Sequence, residues 1–169
     1  MERKYVFDDI NVLISHVLSK SARKVTPLRL QKTLYFMFAY YGSTYGRFNV
    51  DNELYMEEGG GLVYPKFLFS NLFEAWQYGP VIRPVYFSFK NNPEEYVAKE
   101  WEPDEDNEIE KDVLSVLDLV IEEVDTQGDF SLVERSHEDS EWINAFERKN
   151  GEKMDPCKIV EDYVSKSVI

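Results

Sequence analysis

The chain has 169 residues, 43% of them hydrophobic, and its 11 Phe, 11 Tyr and 3 Trp supply the buried surface for one domain, residues 1–169, with a real core. That aromatic content excludes a disordered chain. A formal net charge of −13, from 19 Lys+Arg against 32 Asp+Glu, opposes nucleic acid and anionic membranes and favours a basic protein partner, although acidity also serves solubility alone.

Ile10, Leu13, Ile14, Val17 and Leu18 recur at the spacing of an amphipathic helix, with Asp8 or Asp9 as N-cap and Lys20 near its end. Thr26-Pro27 reads as an N-cap and first-turn proline. The helix it starts carries Leu30, Leu34, Tyr35, Met37, Phe38 and Tyr41, is apolar around most of its circumference, and should be the most buried element, with Gly42 as its C′ residue. Gly59-Gly60-Gly61 between Leu54-Tyr55-Met56 and Leu62-Val63-Tyr64 fits a hairpin tip; no Lys-Ser/Thr pair follows to make a phosphate loop. Leu72 to Trp76 reads as extended, Tyr78-Gly79-Pro80 as a turn with Gly79 at positive φ, and Arg83-Pro84 as the start of a short helix.

Residues 91–112 hold ten Asp/Glu and two Lys, a net of −8. Favourable interaction with the next helix's N-terminus accounts for a few of these carboxylates, at less than ~1 kcal/mol each. The rest form either a solvated linker or a face for a cationic partner. That next helix carries Val113, Leu114, Leu117, Val120, Ile121 and Val124 and closes at Gly128. Ser131 caps a piece from Leu132 to Ser136, Trp142 leads to Ile143 and Phe146, and Asp155-Pro156 starts a last helix through Tyr163. The fold class is mainly α (α+β): a helical domain with a small β-hairpin or short sheet between the buried second helix and the Trp-x-Tyr-Gly-Pro turn.

Chemistry-bearing residues are sparse. With His16, His137 and Cys157 alone, no Cys/His zinc site assembles, an internal disulfide is impossible, and no cofactor is implied. His16, between apolar positions of the first helix, reads as a satisfied or a surface histidine. A Cys157–His137 pair has no flanking nucleophile motif, and Glu138, Asp139 and Glu141 around His137 read as a weak metal cluster or, equally well, as capping residues. No apolar run approaches the ~20 residues of a spanning helix, and the chain reads as cytoplasmic.

Three blocks in order resemble a known family. Leu28-Arg29-Leu30-Gln31-Lys32-Thr33-Leu34-Tyr35-Phe36 lies on the buried helix, and Phe73-Glu74-Ala75-Trp76-Gln77-Tyr78-Gly79-Pro80-Val81 precedes Val85-Tyr86 and Phe89. Ser136-His137-Glu138-Asp139-Ser140-Glu141-Trp142 completes the set. Together they resemble the Panacea antitoxin domain, also called SocA-like or phage-associated GepA-like. Its motif positions map here to Leu30, Gln31, Lys32, Leu34, Tyr35, Phe73, Ala75, Trp76, Tyr78, Gly79, Pro80, Val81, Tyr86, His137 and Trp142. Two positions depart from the pattern, Ser136 where Thr is usual and Glu141 where Pro is common.

The resemblance implies the antitoxin half of a two-gene toxin–antitoxin or phage-defence module, a binder and not an enzyme, neutralising a cognate toxin by contact and in some relatives handing it to a protease. Candidate contact residues are Tyr78, Arg83 and Tyr86 around the turn, and Glu102, Asp104, Glu105 and Asp106 in the acidic arm. Trp76 is expected inside and Tyr78 partly outside, since Trp is on average the more buried. Two other readings remain: a small enzyme built on His137 and neighbouring carboxylates, and a DNA-binding autoregulator drawing on Arg23, Lys24, Arg29 and Lys32.

Overall fold

Four short polar side chains mark where helices begin. Asp9 accepts from the Asn11 amide at 3.0 Å and starts α1 (Ile10–Lys20). Thr26 accepts from the Arg29 amide at 3.0 Å ahead of α2 (Pro27–Thr44), Asn107 from that of Glu110 at 3.1 Å ahead of α4 (Glu108–Asp125), and Asp155 from that of Cys157 at 2.9 Å ahead of α7 (Pro156–Val164). Each bond satisfies an amide that has no partner inside its own helix. Helices α3 (Arg83–Asn91), α5 (Asp129–Ser136) and α6 (Ser140–Arg148) begin without a side-chain bond of this kind. The computed structural model describes residues 4–49 and 62–166.

The second helix is the axis of the fold. Fourteen of the 18 residues of α2 are buried, and α1, α3, α4, α5 and α7 all pack on it. Aromatic edges fill the spaces between them: Tyr35 meets Phe73 and Tyr163 edge-on, and Phe38 meets Phe69 and Phe73. On α4 the buried stripe is Val113, Val116, Leu117, Val120, Ile121 and Val124, so Val116 takes the core position expected of Leu114.

The fold class is mainly α with one small sheet, as the patterning implies. The strands are β1 (Glu74–Trp76), β2 (Gly79–Val81) and β3 (Glu152–Lys153), antiparallel in the order β2-β1-β3. Its hairpin is thus built by the Trp-x-Tyr-Gly-Pro segment itself, while the tip at Gly59–Gly61 lies outside the described residues. The third strand was not foreseen, because two residues carry no periodicity. It exists because Gly151, at φ 89°, turns the chain so that its amide reaches the Ala75 carbonyl at 2.8 Å and Met154 reaches Phe73 at 2.9 Å.

Other local expectations need correction. Helix α2 runs past Gly42 to Thr44, and a Cβ at Gly42 would lie 2.3 Å from a Val160 methyl. This glycine therefore permits close approach of α7 and does not end the helix. Gly128 is the N-cap of α5, not the stop of α4, and Ser131 sits inside α5.

Candidate functional site

The site begins with main-chain groups that the hairpin cannot satisfy alone. Residues 76–82 turn too sharply to pair all their carbonyls and amides with one another, and buried ones need partners. Side chains from two helices and a helix junction supply them. On α2, Gln31 Oε1 accepts from the Ile82 amide at 2.8 Å, and Lys32 Nζ donates to the Pro80 carbonyl at 2.9 Å. Trp142 on α6 donates its indole N–H to the Trp76 carbonyl at 3.0 Å. His137, between α5 and α6, has Nε2 3.0 Å from the Gln77 carbonyl. Because a carbonyl only accepts, that nitrogen carries the proton.

The first and third sequence blocks therefore act on the second. They clamp its backbone from behind. The packing leaves no room at the turn's inner face: Gly79 has φ 102°, and a Cβ there would sit 2.5 Å from both Lys32 Cε and Ser136 Oγ. The positive φ expected of Gly79 is present, and the tight contact adds a second reason for glycine.

Lys32 is wholly buried, and among the described residues no carboxylate forms an ion pair with it. Desolvation lowers its pKa to about 7, since burial penalises the charged ammonium. A neutral amine still donates one hydrogen to Pro80. Behind His137 the rings form a column: His137 stacks on Trp142 at 4.2 Å between centroids and Trp142 on Phe146 at 4.9 Å, which fixes the indole that grips Trp76.

What the clamps present outward is aromatic. Tyr78 is 54% exposed at the tip, while Trp76 is half-buried, not interior as expected, because it lies at the end of β1 against Tyr86 and Phe87. Trp76, Gln77, Tyr78, Val81 and Tyr86 line a cleft of about 280 Å³ with Leu28 and Asn150. Arg83 lies 5.2 Å over the Trp76 ring and grips Glu74 through Nε and Nη2 at 3.0–3.2 Å. Burial pushes the Glu74 carboxyl up, but hydrogen bonds from Arg83 and Trp76 outweigh it and hold the group below its usual value. Leu28 and Asn150 were not anticipated as lining residues. Only their exposure gives them away, and sequence spacing does not encode it.

The acidic candidates stand elsewhere. Glu102, Asp104, Glu105 and Asp106 are exposed on the irregular strap of residues 92–107, which crosses α1 and shares no lining residue with the aromatic cleft. This strap is pinned. The Lys99 amide donates to the Ser15 carbonyl at 3.0 Å, the Trp101 amide donates to His16 Nδ1 at 3.0 Å, and Trp101 packs edge-on against Phe7. His16 is fully buried, and its Nε2 donates to Asp118 at 2.9 Å, so of the two readings, satisfied or surface, it is the satisfied one.

Carboxylates near His137 point to separate partners. Asp139 is buried and accepts from Tyr35 and Tyr163 hydroxyls at 2.5 and 2.6 Å, Arg135 at 3.0 Å and Lys166 at 2.8 Å. Burial and the neighbouring carboxylate raise both tyrosine hydroxyls well above their ordinary pKa. Glu141 accepts from the Asp155 amide at 2.6 Å, and Glu138 is exposed beside Arg135. Among the described residues no cluster of three or more His, Cys, Asp or Glu is placed to hold a metal ion, and Cys157 is a free, exposed cysteine. Of the basic residues a DNA groove would use, Arg29 is buried on Asp129 and two carbonyls, and Lys32 is inside the core. None of the described helices is long and apolar enough to cross a membrane.

Residues 62–143 match the family model for the antitoxin SocA-like Panacea domain, which takes in the second and third blocks and leaves the first N-terminal to it. The chain is also 33% identical over 116 residues to Antitoxin SocA of Caulobacter vibrioides strain NA1000 / CB15N. That similarity covers 67% of this chain and 48% of the relative, so the chain spans about half the relative's length. No solved structure matches it significantly.

Proposed function

For a chain that carries a Panacea domain of the SocA-like antitoxin family, we propose that it neutralises a protein toxin by binding it through the clamped aromatic turn. The observation that carries this reading is the geometry of residues 76–82: four side chains from distant segments spend their polar groups on one short stretch of main chain. Such support prearranges a surface, and a prearranged surface loses little conformational entropy on binding. Half-buried aromatic rings beside an arginine are the residue types that most often anchor protein interfaces.

His137 serves in this reading as a strut and not as an acid–base group, because its Nε2 proton is committed to Gln77. The encoded neighbour of this gene is the natural toxin candidate. Co-expression tests the reading: the neighbour alone should arrest growth, and this chain should restore it. His137→Gln, whose amide still donates to the Gln77 carbonyl, should also restore growth. A neighbour that is harmless alone contradicts the antitoxin role. Loss of rescue by a folded His137→Gln variant would favour chemistry at that ring.

A further inference from the structure

We propose that the groove between the outer face of α1 and the acidic strap is a second docking site, taking a basic, amphipathic segment of the toxin. This rests on the antitoxin reading but concerns a different face from the aromatic turn. Two clefts of about 470 and 270 Å³ adjoin where the strap meets the helix, since both are lined by Asn11 and Ser15. Its apolar contacts come from Val12, 42% exposed, and Val97, 67% exposed, together with Tyr96 and Trp101.

The rim supplies the sign of the partner. Asp9, Glu95, Glu100 and Glu102 line the groove against one cation, Lys99, although Lys20 already engages Glu100 at 2.9 Å. A second copy of this chain, at net −13, would meet this face with like charge. Nucleic acid and anionic lipid are repelled in the same way. A cationic peptide segment with an apolar side satisfies both the valines and the carboxylates.

The strap's order argues that it is a surface and not a linker. It has no strand or α-helix of its own to stabilise it, yet it is fastened through Ser15, His16 and Phe7, and the Tyr96 hydroxyl donates to Ser88 at 2.7 Å. Ordering an irregular stretch costs about 1–2 kcal/mol per residue in backbone entropy. Preordered carboxylates recoup that cost when a partner binds.

The test separates charge from groove. A short synthetic peptide with leucines on one helical face and lysines on the other is titrated into the full chain, read by backbone NMR shifts and by the Trp101 indole N–H resonance. Wild type should bind with shifts centred on Asn11, Ser15 and Val97. Val12→Glu and Val97→Glu each add a negative charge yet should weaken binding by about tenfold or more, as expected for loss of an apolar contact. Leu119→Glu, at a residue on α4 about as exposed as Val12, should leave it unchanged or slightly tighter. Equal tightening by all three variants, or no shift in the groove, overturns the proposal. Growth rescue by the wild-type chain decides the antitoxin reading separately: rescue with full activity in both valine variants would overturn the second site alone.

Discussion

Residues 76–82 and the strap of residues 92–107 both present candidate contact side chains to solvent, and they are stabilised in different ways. Residues 76–82 are gripped from the core side by Gln31, Lys32, His137 and Trp142, all acting on main-chain atoms. The strap of residues 92–107 lies over α1 and touches the core mainly through Trp101 and the amide it gives to His16. The turn is therefore part of the packed interior with an aromatic edge left outside. The strap is a surface layer whose carboxylates stay in water. A substitution behind the turn should be felt by the whole fold, whereas one beneath the strap should be felt locally.

The largest expected break is Gly79→Val. A β-branched residue at φ 102°, with its Cβ 2.5 Å from Lys32 and Ser136, combines backbone strain with overpacking, for a loss of about 4–6 kcal/mol. Chemical denaturation should show the variant's midpoint clearly lowered, and wild-type stability would refute the clamp geometry.

Next is the pH dependence that buried Lys32 imposes. Its pKa falls from 10.5 to about 7 on folding. Between those values the unfolded chain binds more protons, so this residue's contribution to stability rises with pH and is at its least favourable below about 7. Lys32→Met removes that dependence, although it leaves the Pro80 carbonyl without a donor. Relative to the variant, wild type should gain about 4 kcal/mol between pH 6 and pH 10. Parallel pH profiles for the two proteins would mean that the lysine is charged in the core.

His16→Leu probes the other region and should cost less, about 1–2 kcal/mol for an amide left unpaired. Hydrogen exchange should quicken at Trp101 and Lys99 while Ile82 stays protected. Equal quickening at Ile82 would erase the distinction between the two stretches.

How much of this was legible beforehand follows from the range of each interaction. Asp9, Thr26 and Asp155 cap amides two or three residues away, so their helices could be read from neighbouring letters. Gly79 was legible because a turn declares its own backbone. Gly42 was misread because its reason is Val160, far along the chain and invisible to local pattern. For the same cause the aromatic blocks could be located while their purpose could not: Lys32 and Pro80 meet across 48 positions, and Trp142 and Trp76 across 66. Asp139 looked like one acidic residue among several, and only assembly reveals two tyrosines, an arginine and a lysine converging on it. The acidic run was plain in composition, but its fastening by a buried histidine was not.

The central claim is that the outer edge of the clamped turn is a working surface and not a structural one. Tyr78→Ala tests it most directly, because this side chain is 54% exposed and the backbone clamps do not depend on it. Rescue of growth from the toxin is measured beside thermal stability. The account predicts a protein within about 0.5 kcal/mol of wild type in stability that no longer restores growth, and a stable variant that rescues as well as wild type would contradict it.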